Sequence, residues 1–179
     1  MENIVTYIGQ TLYWLQPKVM QRYFELRSED SALLATLSLD KGLGIKGRAE
    51  SADGMARFEP KGFFKAGTVI YKPPSDIAVA KFSPKLFGKG ALEFADGRRY
   101  EFGAANIWGR EWSFTDTLGQ PIVKLRNEQK IRSFADIFKA RGKVEIAPEA
   151  SNVPDLVLLA AFGWYMLMVM RQRRSRTGA

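Results

Sequence analysis

The residues of this chain that could do chemistry are carboxylates, hydroxyls and many cations, because histidine and cysteine are both absent. That removes the imidazole general base, the thiolate nucleophile, the disulfide and the usual ligands of zinc and iron–sulfur clusters. Ser-His-Asp and Cys-His catalysis are excluded with them. The nearest approach to a nucleotide motif is the G-x-G-x-x-G string Gly42-Leu43-Gly44-Ile45-Lys46-Gly47. A dinucleotide fingerprint needs a helix N-terminus directly after the glycines to hold the pyrophosphate. Here Arg48 to Phe58, with Ser51, Asp53 and Gly54, reads as strand, turn and strand, so the glycines serve tight turns. Phe87-Gly88-Lys89-Gly90 resembles part of a phosphate loop, but Ser83 stands five residues before Gly88 and no Ser or Thr follows Lys89. Glu93, Glu101 and Glu111 fall on adjacent predicted strands, and two carboxylates suffice for a glycosidase. Nothing singles out a pair, and outward-facing, salt-bridged glutamates account for all three. The expectation is a chain that is not an enzyme and needs no cofactor and no metal.

The cations are the more informative set. Lysine and arginine total 27 against 19 acidic residues, a formal charge of +8. Arg171, Arg173, Arg174 and Arg176 crowd the C-terminus with no acid among them. A second group, Arg57, Lys61, Lys65, Lys72, Lys81, Lys85 and Lys89, is opposed only by Glu59 and Asp76 and is interleaved with Phe58, Phe63, Phe64, Phe82 and Phe87. Cations that hold phosphate headgroups while rings enter the interface would suit an anionic membrane lipid, and these seven are the candidate lipid-binding residues. Solvated lysines on strand edges, with the phenylalanines turned inward, are the plainer account. Nucleic acid is disfavoured because the basic residues recur across turn-rich sequence and form no recognition-helix pattern. A protein partner stays open.

The elements that must position these groups are legible in the spacing. With 179 residues, 46% of them apolar, one domain is expected. Ile4, Ile8, Leu12 and Leu15 predict a short amphipathic helix within residues 1–16. Glu2 stands where a secretory signal carries positive charge, so a cytoplasmic body is expected. Residues 19–148 read as about ten or eleven short strands: Tyr23–Leu26, Leu33–Leu37, Ile45–Ala49, Met55–Glu59, Thr68–Tyr71, Ile77–Phe82, Ala91–Phe94, Tyr100–Phe102, Trp108–Phe114, Ile122–Leu125 and Val144–Ile146. Asp96-Gly97 marks the clearest hairpin. Ile131 to Phe138 also fits a helical face.

Residues 152–171 read as a hydrophobic helix, followed by a basic tail at 172–179. Pro154 and Asp155 suit its first turn, and Leu156 to Met170 is apolar on every side. Such a helix must be buried, in lipid or in protein. Val153 to Met170 is long enough to cross a bilayer at about 1.5 Å per residue, which leaves a single-pass, C-terminally anchored subunit as the alternative. Against it, Trp164 and Tyr165 sit near mid-helix rather than at an interface, and a tail anchor would carry the arginines outward. An antiparallel barrel of ten or more strands is too wide for its own side chains to fill, and an all-apolar helix is a suitable plug.

A many-stranded β body ending in Val144-Glu145-Ile146-Ala147-Pro148, followed by Pro154-Asp155-Leu156 to Met170, resembles the tubby C-terminal-like superfamily. That group includes LURP-one-related proteins and phospholipid scramblases. Gly109-Arg110-Glu111-Trp112-Ser113-Phe114, with Asp116 and Gly119 in the next turn, is similar to hairpins of its small bacterial-type members. The likeness spans roughly Val19 to Arg171. It implies a mainly β fold, a closed antiparallel barrel of about ten to twelve strands around a central hydrophobic C-terminal helix. It also implies peripheral membrane association through anionic phospholipid, as an analogy between folds, since no lipid-binding motif matches residue by residue.

Overall fold

Alternation of large apolar with polar residues turns most of this chain into short strands whose inward faces are buried. The structure, a computed structural model, describes residues 1–40, 44–62, 67–106, 109–128 and 140–176. Twelve strands are formed by these residues: β1 (Thr11–Leu15), β2 (Tyr23–Arg27), β3 (Leu33–Leu39), β4 (Gly47–Ser51), β5 (Gly54–Pro60), β6 (Thr68–Tyr71), β7 (Ala78–Pro84), β8 (Gly90–Phe94), β9 (Arg99–Ala104), β10 (Glu111–Thr115), β11 (Pro121–Asn127) and β12 (Arg141–Ile146). Each pairs antiparallel with the next, and β1 closes the barrel on β12 with Thr11 opposite Glu145 and Leu15 opposite Arg141. Closure leaves no sheet edge.

The N-terminal segment departs from its expectation. Only Ile4–Tyr7 is helical, as a 3-10 turn capped by the Asn3 side chain, and Gly9 at φ 82° ends it. Residues 11–15 are the barrel strand β1, with Leu12 and Trp14 inward. Three- and four-residue spacing had competed with a Thr-Leu-Tyr-Trp-Leu run of high strand preference, and pairing on both sides decided for the strand. The predicted strand at Trp108–Phe114 is confined to Glu111–Thr115, while Trp108 and Ile131 to Phe138 lie outside the described residues.

Inside the barrel runs α1 (Leu156–Arg176). Leu159, Ala160, Phe162 and Trp164 have no exposed surface. Phe162 is the hub, with ring centroids of Phe58 and Phe82 each at 5.3 Å. Trp164 stacks parallel to Trp14 at 6.3 Å, and Gly142 makes room for it: a Cβ there would sit 2.2 Å from the indole. The helix on which the anchored alternative rested is thus enclosed by strands, and no helix among the described residues is long and apolar enough to cross a membrane.

The helix start also differs from expectation. Asp155 and Pro154 lie before the helix rather than in its first turn; Asp155 has φ 61° and its carbonyl accepts the Leu159 N–H at 3.0 Å. Its carboxylate receives Lys72 and, at 3.0 Å, Arg98. Two cations from the rim therefore clamp the point where the chain enters the barrel.

Candidate functional site

In an up-and-down barrel successive connections alternate between the two ends, so the sequence order of the loops assigns each to an end. Connections after β1, β3, β5, β7, β9 and β11 lie at the end where α1 emerges. The Tyr165 hydroxyl donates to the Ile45 carbonyl at 2.7 Å there, and Gly88 lies against Met170. Connections after the even-numbered strands lie at the end where α1 enters, beside Asp155.

Charge follows this alternation. Among the described residues the exit end carries Lys18 and Arg22 after β1, Lys46 after β3, Lys61 after β5, Lys85 and Lys89 after β7, and Arg110 after β9. Arg171, Arg173 and Arg174 join them from the helix, with only Asp40 and Glu128 in opposition. The entry end carries Glu2, Glu29, Asp30, Asp53, Asp76, Asp96, Asp116, Glu149 and Asp155, against Lys72 and Arg98. The acidic end has a structural account. Its connections are mostly tight hairpins, in which aspartates serve the turns: Asp116 accepts the Leu118 and Gln120 N–H groups at 2.9 and 2.8 Å, and Asp96 accepts that of Arg98 at 3.1 Å. Arg98 also holds the Asp96 carboxyl below the usual range. The basic end has no such account. Among the described residues no carboxylate pairs with Lys18, Lys46, Lys61, Lys89 or Arg110.

The seven candidate lipid-binding residues are therefore divided. Lys61, Lys85 and Lys89 reach the basic end. Arg57 lies on the outer wall, paired with Glu59 at 2.9 Å and Asp76 at 3.0 Å. Lys81 is also on the wall, in register with Glu93. Lys72 sits at the opposite end with its ammonium committed to Asp155. Lys65, with Phe63 and Phe64, lies outside the described residues. Phe58 and Phe82 point into the core, whereas Phe87 is 89% exposed. Lys18, Arg22, Lys46 and Arg110 were not singled out from the sequence. Their signal was present in the alternating sign of successive connections, once strands are counted in order.

The loop after β7 has the most unusual geometry at the basic end. Phe87 adopts φ 59° and ψ 33°, and Gly88 follows at φ 77°. A bulky residue in the left-handed region costs on the order of 1–3 kcal/mol and persists only where its surroundings impose it. Here the Lys85 N–H donates to the Lys89 carbonyl at 2.7 Å and the Lys89 N–H to the Leu86 carbonyl at 3.3 Å. Gly88 is wedged at the base of the loop, where a Cβ would lie 2.6 Å from Met170 Sδ and 2.9 Å from Trp112.

The remaining motifs are absorbed by structure. Gly47 opens β4 and not a helix, so the glycine string lacks the helix N-terminus that a pyrophosphate needs. Glu93 and Glu101 share Arg99, each at 2.6 Å, and Lys85 reaches Glu101 at 2.9 Å. Arg99 first, then Lys85, hold the Glu101 carboxyl below the usual range. Among the described residues no group of three or more acidic side chains is placed to hold a metal ion. A recess of about 330 Å³, open to solvent, lies at the acidic end between α1 and β3–β5. Ala35, Ala49, Ala56 and Ala161 floor it and Lys72 and Asp155 rim it, and its interior has room for about one water molecule.

No protein-family model, curated protein or solved structure matches the chain.

Proposed function

We propose that this chain is a non-catalytic, tubby-like barrel module that attaches peripherally to anionic phospholipid through its basic end. The observation that carries the reading is the segregation of charge along the barrel: cations gather at one end, where Lys18, Lys46, Lys61, Lys89 and Arg110 pair with no carboxylate among the described residues, and carboxylates, several of them used in turns, gather at the other. A twelve-stranded barrel around a hydrophobic helix, the layout that the superfamily resemblance implies, supports the same reading. The low field of any single lysine is weak, but several within one plane add, at about 1 kcal/mol per cation near an anionic surface.

Co-sedimentation of the full chain with phosphatidylcholine vesicles, with and without phosphatidylglycerol, tests it. Binding is expected only with the anionic lipid and should fall as salt is raised. Joint reversal of Lys61, Lys85 and Lys89 to glutamate should weaken it at least ~tenfold, whereas Lys81→Glu, on the wall beside Glu93, should leave it nearly unchanged. Equal effects of the two variants would remove the end from consideration.

A further inference from the structure

We infer that Leu86 and Phe87 form an apolar tip that enters the bilayer interface, so that the barrel stands on its basic end with the acidic end turned away. This rests on the lipid-binding reading above and names the part of the surface that passes beyond the headgroups. Leu86 is 71% and Phe87 89% exposed, adjacent in sequence, and flanked by Lys85 and Lys89. The loop is not a slack one. Its ends are tied by the Lys85–Lys89 hydrogen bond, and its base is fixed where Gly88 lies against Met170 and Trp112.

Gly88 lies close against Met170 and Trp112, while Phe87, with its left-handed backbone, leaves its ring in solvent. An aliphatic and an aromatic side chain between two lysines match an interfacial insertion site: the rings and methyls enter while the lysine stems lie along the apolar boundary and keep their ammonium groups in the headgroup layer. Arg171, directly after Met170 in α1, is exposed at the same end of the barrel. Charge complementarity commits the surface to an anionic bilayer. A rigid tip that serves a protein instead is an outcome the test can return.

Because the chain contains no cysteine, single cysteines can be introduced for labelling. Phe87→Cys and, at the opposite end, Leu118→Cys are exposed positions suited to an environment-sensitive NBD label. With phosphatidylglycerol-containing vesicles the label at 87 should shift to the blue and brighten several-fold, and the label at 118 should not change. In the unlabelled chain, joint replacement of Leu86 and Phe87 by serine should weaken vesicle binding by roughly tenfold or more, with the far-UV spectrum and melting curve retained. Vesicle binding with a silent label at 87 overturns the tip while leaving the lipid reading intact; a response at 118 overturns both the tip and the attachment through the basic end. Wild-type affinity of the double serine variant also overturns the tip. Failure of the unaltered chain to bind any vesicle removes both.

Discussion

Tyr165 shows how one polar atom is accommodated inside an apolar plug. Its ring packs between Phe58 and Phe162, with centroids at 5.2 and 5.6 Å, and its hydroxyl donates to the Ile45 carbonyl at 2.7 Å. Burial pushes its pKa up to about 12. A tyrosine with a raised folded value contributes stability that is complete below the unfolded value near 10 and is lost as pH rises toward 12. Tyr165→Phe should cost about 1–2 kcal/mol at neutral pH, through the unpartnered Ile45 carbonyl. It should also lessen the fall in stability between about pH 10 and pH 12. Tyr7, pushed up to about 12 chiefly by its hydrogen bond to Glu2, keeps part of that fall in the variant. Denaturant midpoints across this range decide the matter; an unchanged alkaline slope would contradict it. The sequence identified Tyr165 as filling of an apolar helix, but its acceptor lies 120 residues earlier, and no local pattern names it.

At the scale of elements, the strands between residues 19 and 148 were legible because they are short apolar or alternating runs separated by turn residues; β2, β5 and β7 alternate in burial, whereas β3 and β10 bury consecutive residues. The β8–β9 hairpin across Asp96-Gly97 is the clearest case. The first strand was not legible. Its five residues carry both periodicities, and only the partners on either side, β12 and β2, select the one with period two. The terminal helix was legible as a buried element, but its container was not. The interior face of the barrel is lined by Leu, Phe and Trp side chains that α1 covers, so a chain ending at Ser151 would expose an apolar cavity to water. That truncation is expected to lose its cooperative melting transition and to bind a hydrophobic dye such as ANS. A folded truncation with a native-like melting curve would show that the helix is not what stabilises the barrel.

At the scale of the whole molecule, the net charge of +8 conceals two ends of opposite sign. The strands that separate them are five to seven residues long for the most part, so the ends lie about 20 Å apart, roughly two Debye lengths at physiological salt. Joint substitution of Glu29 and Glu149 by lysine, both exposed at the acidic end, raises the net charge by four. Vesicle affinity is expected to change by less than ~threefold, because the added charge stands beyond the screening distance. A large gain, measured by the same co-sedimentation, would mean that the barrel lies on its side and that total charge governs binding. The sequence by itself determined the strand segments after the first, the apolar helix and the count of cations, since these depend on local periodicity and composition. The tertiary structure alone decided which strands close the barrel and that α1 lies within it. It also decided that Lys61, Lys85 and Lys89 join Lys18 and Arg171 while Lys72 is drawn to Asp155. Closure and the alternation of ends are properties of the whole strand order, and they bring together charges that are far apart along the chain.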